Sequence, residues 1–251
     1  MGLMDGIALR INHLTFRYPR QSQDCIHNLN LVINKGERFG LFGPNGAGKT
    51  TLMSFMVGSL QAQLETVFVN GKDMSKYKKQ VSPFIGYVPQ DFAFYPELSP
   101  VENLEFFGAW SGLKPKVIKQ RSEELLSILG LSDVAHKQVF KFSGGMKRRV
   151  NLAIGVIHEP KILFLDEPTV GVDVQTRHAI ISYLKELNDK GTTLVYTSHH
   201  LKEAEDLCDR VALIDKGEIV AYDYLSTLLT QHEEGDLEQL FLKLTGNAYR
   251  D

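Results

Sequence analysis

One segment of the sequence has the residue types and the spacing of a phosphate-binding loop. It follows a short apolar strand and precedes a helical stretch, and it reads Gly43, Pro44, Asn45, Gly46, Ala47, Gly48, Lys49, Thr50. The glycines let consecutive backbone N–H groups turn toward one anion, and the following helix directs its positive dipole end at the same point. Lys49 can reach the outer phosphates and the Thr50 hydroxyl can ligate Mg²⁺. A glycine-rich turn that holds nothing is the alternative, which the complete pattern disfavours.

Two adjacent carboxylates, Asp166 and Glu167, follow directly after the apolar residues 162–165. A phosphate-binding loop requires a carboxylate that orders the metal ion, and the end of a buried strand is its usual place. We expect Asp166 to hold Mg²⁺ through the water shell of the ion and Glu167 to polarise an attacking water molecule. A solvated turn or a helix N-cap is the alternative for such a pair, and the phosphate loop disfavours it.

A third segment begins a helix with Ser143, Gly144 and Gly145. Serine is an ordinary helix N-cap, but two glycines in a first turn are costly unless something approaches the backbone closely. Together with the phosphate loop, Asp166 and Glu167, this segment resembles the signature motif in the nucleotide-binding subunit of ABC transporters. The resemblance covers nearly the whole chain and implies an ATPase with ATP and Mg²⁺ as its ligands.

The resemblance also implies roles for individual residues. Catalysis is assigned to Glu167, His199, Gln90 and Lys49, and the metal ligands are Thr50, Gln90 and Asp166. The residues implied to contact ATP are the phosphate loop with Thr51, the adenine-stacking Tyr18, and Ser143, Gly144, Gly145 and Asp173. Phe16 is the alternative to Tyr18. His199 is favoured over His200 because it directly follows the serine at a strand end, where ligands bind in parallel sheets.

Two positions depart from the family pattern: Val172 stands where leucine is usual, and Met146 stands where the signature most often has glutamine. The departure at Met146 is the one that matters. The backbone N–H groups of the two glycines still open a helix, so we expect the phosphate contact to survive and the closing geometry or rate to change. The basic residues Lys147, Arg148 and Arg149 are predicted to form a solvated helix face, and a role in steering phosphate is the alternative.

The elements that position these residues predict an α/β fold. Apolar residues alternate over 9–16 and 29–33, as in antiparallel strands, before the apolar strand at 38–42. A capping box opens a helix at residue 99, and helical patterns follow over 117–129 and after residue 143. Strands and helices then alternate from residue 162, as in a parallel α/β core.

We therefore expect a P-loop NTPase core of mixed sheet with an antiparallel β subdomain and an inserted α-helical subdomain. The ATPase domain is predicted over residues 1–221, with the helical subdomain at about 91–158. A short C-terminal helical tail is predicted over residues 222–251.

Composition restricts the partners. The 251 residues carry a formal net charge of -2, so nucleic acid is not expected as a partner. Two cysteines, Cys25 and Cys208, favour a reducing compartment. No apolar run approaches the roughly 18 residues of a spanning helix, and no secretory signal is visible. We expect a peripheral protein on the cytoplasmic face of the plasma (inner) membrane, with a separate transmembrane permease subunit.

The resemblance implies a homodimer or heterodimer of ATPase subunits, because the signature of one subunit serves the nucleotide on the other. Residues 144–153 and 237–246 resemble the bacterial exporter branch, which moves drugs, lipids or polysaccharides outward. An importer subunit, or a soluble ABC ATPase that clamps nucleic acid or ribosomes, is the alternative. Phe92, Phe94 and Tyr95 either receive a coupling helix of the permease or pack in the core.

Overall fold

The computed structural model describes residues 6–198 and 201–246, except for the side chain of Ala204. In these ranges the strands are β1 (Ile7–Phe16), β2 (Ile26–Asn34), β3 (Arg38–Phe42), β4 (Val67–Val69), β5 (Lys72–Asp73), β6 (Ile85–Val88), β7 (Ile162–Asp166), β8 (Thr193–Ser198), β9 (Arg210–Asp215) and β10 (Glu218–Tyr224). The helices are α1 (Lys49–Met56), α2 (Met74–Val81), α3 (Pro100–Trp110), α4 (Pro115–Ile128), α5 (Gly144–Val156), α6 (Val174–Asp189), α7 (Leu201–Leu207), α8 (Leu225–His232) and α9 (Leu237–Thr245).

A six-stranded sheet in the order β10-β9-β3-β8-β7-β6 carries the residues with chemical roles. The strands from β9 to β6 are parallel, and β10 pairs antiparallel with β9 at one edge. In this register Phe42 lies opposite Ser198, and Asp166 lies opposite Thr197. The carboxyl ends of β3, β6, β7 and β8 therefore meet along one edge, where ligands bind in such sheets.

The two faces of this sheet contribute to two hydrophobic cores. On β7, Leu163 and Leu165 join a larger core with α3, α4, α5 and α9. Ile162 and Phe164 join a second core with β1, β2 and α1. The alternation follows from the two-residue period of a strand, and burial on both faces explains the continuous apolar run before Asp166.

The predicted fold class is confirmed. The mixed sheet is accompanied by an antiparallel sheet in the order β2-β1-β4-β5 and by the inserted helices α3, α4 and α5. The sequence patterns miss β4, β5 and β6, because these strands of 3, 2 and 4 residues are too short to display a period. None of the helices in the described ranges combines the length and apolarity needed to cross a membrane.

The C-terminal helices pack into the larger core. The boundary predicted at residue 222 lies inside β10, which continues to Tyr224. Leu237, Leu240 and Phe241 on one face of α9 are buried in the larger core, and α9 contacts α7. Residues after 221 therefore help to hold α7, which begins three residues after the end of β8.

Helix α5 approaches the sheet so closely that glycine is required at the contact. A Cβ on Gly86 of β6 would lie 2.4 Å from the carbonyl oxygen of Gly155 in α5. We expect Gly86→Ala to push α5 away from β6 and to lower the free energy of unfolding in urea by about 1–3 kcal/mol.

Gly235→Ala is the control for this prediction. A Cβ at this position would have Gln239 Oε1 as its nearest neighbour, at an ordinary contact distance of 3.7 Å. The control should change the free energy of unfolding by less than about 0.5 kcal/mol. Equal stability of the two variants would contradict the close-contact explanation.

Candidate active site

The phosphate loop leaves the end of β3 with its backbone tightly enclosed. A Cβ on Gly43 would lie 2.1 Å from the carbonyl oxygen of Ile214, and one on Gly48 would lie 2.8 Å from Ile26 Cδ1. Gly48 also has a φ of 106°, in the left-handed region that glycine adopts readily. Because α1 begins at Lys49, its first N–H groups and its positive dipole end face this loop.

The ammonium group of Lys49 is buried and held by the loop itself. Its Nζ donates hydrogen bonds to the carbonyl oxygens of Gly43 at 2.6 Å and of Pro44 at 3.1 Å. Burial lowers the pKa of Lys49, and the negative charges of Glu167 and Asp166 oppose that shift. These three charged groups therefore interact at the carboxyl end of the sheet.

Asp166 ends β7 as a buried carboxylate. Thr197 Oγ1 donates a hydrogen bond to Asp166 Oδ1 at 2.7 Å, and the Thr50 side chain also hydrogen-bonds to this carboxylate. Burial raises the pKa of Asp166, the hydrogen bond from Thr197 opposes this shift, and the neighbouring Glu167 charge adds to it. A cation bound at this carboxylate would offset the cost of its burial.

The groups around Asp166 fit Mg²⁺ bound together with a nucleotide. The Thr50 hydroxyl and the Asp166 carboxylate supply oxygen ligands, which this hard cation prefers. In the part of the chain that the structure describes, no group of three or more His, Cys, Asp or Glu side chains could hold a metal ion. Such a group is not needed, because Mg²⁺ usually combines one or two carboxylates with waters and substrate phosphates.

Glu167 follows Asp166 in a strained backbone conformation. Its φ is 50°, in the left-handed region, and this costs of order 1–3 kcal/mol for a residue other than glycine. The Glu167 N–H lies 3.1 Å from the carbonyl oxygen of Thr197 and 3.2 Å from its Oγ1. Gln90 Nε2 donates a hydrogen bond to Glu167 Oε2 at 2.9 Å. The turn therefore directs the carboxylate at the segment that follows β6.

Two residues of α5 that the sequence analysis does not select as site residues hold the Gln90 segment. Arg148 is 6% exposed, donates a hydrogen bond to the Gln90 carbonyl oxygen at 2.6 Å and lies over the Phe92 ring. Asn151 donates to the Pro89 carbonyl oxygen at 3.1 Å. The prediction of a solvated basic face is therefore wrong for Arg148. An arginine and an asparagine three residues apart share one helix face, and that spacing is the available sequence signal.

The phosphate loop opens into a cavity of about 660 Å³. Tyr18, Gln90 and Glu167 line it together with most of the loop. The Tyr18 hydroxyl lies 3.1 Å from Thr51 Oγ1 at the start of α1, whereas Phe16 lines a separate cavity. A larger cavity of about 930 Å³ lies beside the start of β8 and contains none of the predicted site residues. The smaller cavity is therefore the one that matches the predicted chemistry.

The signature segment and Asp173 lie outside this cavity. Ser143 is exposed and caps α5, since its Oγ accepts a hydrogen bond from the N–H three residues later at 3.3 Å. Asp173 caps α6 by accepting from the Thr176 N–H at 2.9 Å, and this hydrogen bond lowers the pKa of the carboxyl group. A Cβ on Gly145 would lie 3.3 Å from Thr176 Oγ1, so the signature segment and the Asp173 loop are neighbours.

The predicted switch histidine, His199, lies outside the described residues, as does His200. The last described residue before them is the buried Ser198, which pairs with Phe42 at the end of β3. This strand end therefore lies at the edge of the sheet that carries the phosphate loop.

Comparisons with known proteins agree with this geometry. Residues 26–170 match the family described as ABC transporter. The chain is 43% identical over 196 residues to the linearmycin resistance ATP-binding protein LnrL of Bacillus subtilis (strain 168), which covers 78% of this chain and 63% of that protein. It is 39% identical over 196 residues to the Nod factor export ATP-binding protein I of Cupriavidus metallidurans, which covers 78% of this chain and 65% of that protein.

The chain thus spans slightly under two thirds of the length of these two relatives. Among solved structures, an ATP binding subunit of an ABC transporter superimposes with a TM-score of 0.87 at 27% identity. That superposition covers 95% of this chain and 99% of the other chain.

The two cysteines provide a test of the cavity. Cys25 is half-buried and lines the cavity, whereas Cys208 is buried and burial raises the pKa of its thiol. We expect a maleimide to label Cys25 alone, since Cys208 is buried and its raised pKa disfavours the reactive thiolate. MgATP should slow the labelling, as measured by mass spectrometry.

Cys25→Ser should abolish this labelling, and Cys208→Ser should leave it unchanged. Labelling of Cys25 at the same rate with and without MgATP would contradict the placement of the nucleotide.

Proposed function

The chain belongs to the ABC transporter family, and we propose that it is an ATPase that serves as the motor subunit of an exporter. In this proposal ATP closes a dimer of two ATPase subunits, and hydrolysis reopens it. The movement drives export through a separate transmembrane subunit.

The position of the signature segment is the observation that supports a two-subunit site. Ser143 and Gly144 are exposed at the start of α5, and neither lines the cavity that contains Lys49 and Glu167. The first N–H groups of a helix have no partner within the helix, and they can bind a phosphate anion. Because the family resemblance assigns this segment to the γ-phosphate, a second subunit is proposed to supply the nucleotide that it contacts.

The predicted site residues at and beside the cavity have proposed tasks. The phosphate loop and Lys49 bind the β- and γ-phosphates, and Tyr18 stacks on adenine. Thr50, Asp166 and Gln90 would hold Mg²⁺, which neutralises phosphate charge when bound.

The hydrolytic step is assigned to Glu167. Its carboxylate orients and polarises a water molecule for in-line attack on the γ-phosphate, and the hydrogen bond from Gln90 keeps it in place. Lys49 stabilises the charge that develops on the phosphate. His199 is proposed to position the same water, and Asp173 to reach the nucleotide site across the dimer.

The direction of transport is supported by the relatives rather than by the site. The names of two relatives describe linearmycin resistance and Nod factor export. An importer subunit would use the same catalytic residues. A soluble clamp on nucleic acid or ribosomes has less support, because a net charge of -2 provides no global basic field.

An exposed aromatic surface on the helical subdomain is proposed to receive the transmembrane subunit. We define this aromatic surface as Phe92, Tyr95, Phe106 and Trp110, of which Trp110 is 82% exposed. Phe94 stacks on Phe92 at 5.2 Å between ring centroids and is only partly buried. Contiguous exposed apolar residues mark interaction sites. Since the aromatic surface begins two residues after Gln90, a coupling helix docked there could act on the active site. In this proposal the ATPase is a peripheral protein attached to the membrane through that contact.

Glu167→Gln tests the hydrolytic assignment. The amide cannot accept a proton from the attacking water, so we expect kcat for ATP to fall about 100-fold or more while ATP binding persists. Size-exclusion chromatography with MgATP should show the variant as a dimer.

Glu186→Gln, an exposed substitution on α6, is the matched control and should keep the unmodified kcat. Turnover by Glu167→Gln at the rate of the unmodified chain would refute the role of Glu167, and a variant that stays monomeric with MgATP would refute the closed dimer.

The aromatic surface is tested by the double substitution Tyr95→Ala and Trp110→Ala. We expect the fraction of the chain that sediments with membranes to fall at least about tenfold, because the apolar contact with the transmembrane subunit is lost. Basal ATPase of the purified chain should remain within about twofold, since neither side chain lines the cavity.

Tyr224→Ala removes an exposed aromatic residue of β10, outside the helical subdomain, and serves as the control. Unchanged membrane sedimentation of the double variant would count against docking at this position.

A further inference from the structure

Helix α7 contains a buried carboxylate to which none of the roles above is assigned. Glu203 is 5% exposed and is surrounded by polar groups from three separate segments of the chain. Leaving a charge in the interior is costly unless hydrogen bonds and an opposite charge compensate it. Replacement of such a group by an apolar side chain is often neutral for stability, so its presence calls for a reason other than packing.

Three hydroxyl groups converge on one oxygen of this carboxylate. Glu203 Oε2 accepts hydrogen bonds from Thr169 Oγ1 at 2.6 Å, from Tyr196 OH at 2.5 Å and from Ser198 Oγ at 3.3 Å. Burial, and then the charge of Glu203, raises the pKa of Tyr196, so this phenol remains a donor. Glu203 therefore joins the segment after β7 to the last residues of β8.

The second oxygen extends the connection to α6. Arg177 Nε lies 3.1 Å from Glu203 Oε1 and provides the opposite charge. This contact is an ion pair without an aligned hydrogen bond, since neither atom has a hydrogen-bond partner within the described ranges. Arg177 lies one turn after Asp173, so the same carboxylate connects to the start of α6.

The residues that Glu203 holds adjoin the strained turn at Glu167. Thr169 follows Glu167 by two positions, and Tyr196 and Ser198 flank Thr197, which accepts the Glu167 N–H. A left-handed conformation in a residue other than glycine persists only when the surrounding structure enforces it. The contacts of Glu203 reach the residues around this turn from outside the cavity.

We infer that Glu203 is a positioning residue for hydrolysis, which holds the backbone turn of Glu167 and thereby the direction of its carboxylate. This inference rests on the role proposed for Glu167. Glu203 lines no part of the nucleotide cavity, so its loss should affect turnover and leave ATP affinity unchanged.

Glu203→Gln keeps the shape of the side chain and removes the charge that Arg177 and the hydroxyl groups require. In single-turnover ATP hydrolysis by the full chain, we expect the rate to fall about 10- to 100-fold, because a small displacement of the attacking group has effects of this size. The Kd for MgATP should stay within about twofold. Asp206→Asn, on an exposed position of the same helix, is the control and should keep the unmodified rate.

A double variant separates positioning from general destabilisation. If Glu203 acts through Glu167, Glu203→Gln should slow the Glu167→Gln chain by no more than about twofold, because the group that it positions is already absent. An independent, multiplicative loss in the double variant would overturn the inference. Hydrolysis by Glu203→Gln at the unmodified rate would also overturn it, while the role of Glu167 would stand if Glu167→Gln alone were slow.

Thr169 offers a matched pair if Glu203→Gln does not fold. Thr169→Val removes the hydroxyl group that donates to Glu203 and keeps the side-chain volume, whereas Thr169→Ser retains the donor. We expect Thr169→Val to lower the single-turnover rate at least about fivefold and Thr169→Ser to stay near the unmodified rate. Equal rates for the two variants would overturn the inference.

Discussion

Two adjacent carboxylates buried beside one ammonium group impose the constraint on which this site depends. Asp166 and Glu167 lie at the end of β7, and the charge of Lys49 interacts with both. Burial alone disfavours the charged form of every group involved. The cost is offset by hydrogen bonds from Thr197 and Gln90, each of which comes from a different strand end. The parallel register of β6, β7 and β8 is therefore an electrostatic requirement as well as a packing arrangement.

The same constraint explains why the loops around the site are anchored from outside the cavity. The backbone of Glu167 adopts a left-handed turn, and its carboxylate accepts a hydrogen bond from Gln90. Buried polar contacts hold such a turn with little freedom, since an unpaired polar group in the interior is costly. Arg148 fixes the Gln90 segment by donating to the Gln90 carbonyl oxygen, and Glu203 fixes the segment after Glu167 and the end of β8. Neither group needs to touch the nucleotide to influence its hydrolysis.

The cavity, the signature segment and the aromatic surface occupy different parts of the chain. The cavity lies at the carboxyl edge of the sheet, and the signature segment lies on the helical subdomain beside the Asp173 loop. Arg148, on the same helix as the signature segment, contacts both Gln90 and Phe92 of the aromatic surface. One helix thus connects three features that the proposed export cycle must coordinate: the second subunit, the attacking water and the transmembrane partner.

Local patterns in the sequence were sufficient to predict the phosphate loop, the carboxylates after β7 and the α/β fold class. Each of these features depends on residues close together in the chain, where spacing and hydrophobic period carry the information. The burial of Arg148 and the short strands β4, β5 and β6 required the folded chain. Arg148 and Gln90 are 58 positions apart, and Glu203 and Thr169 are 34 positions apart. No local pattern encodes such pairs, because their energy comes from burying polar groups that meet only after the strands have paired.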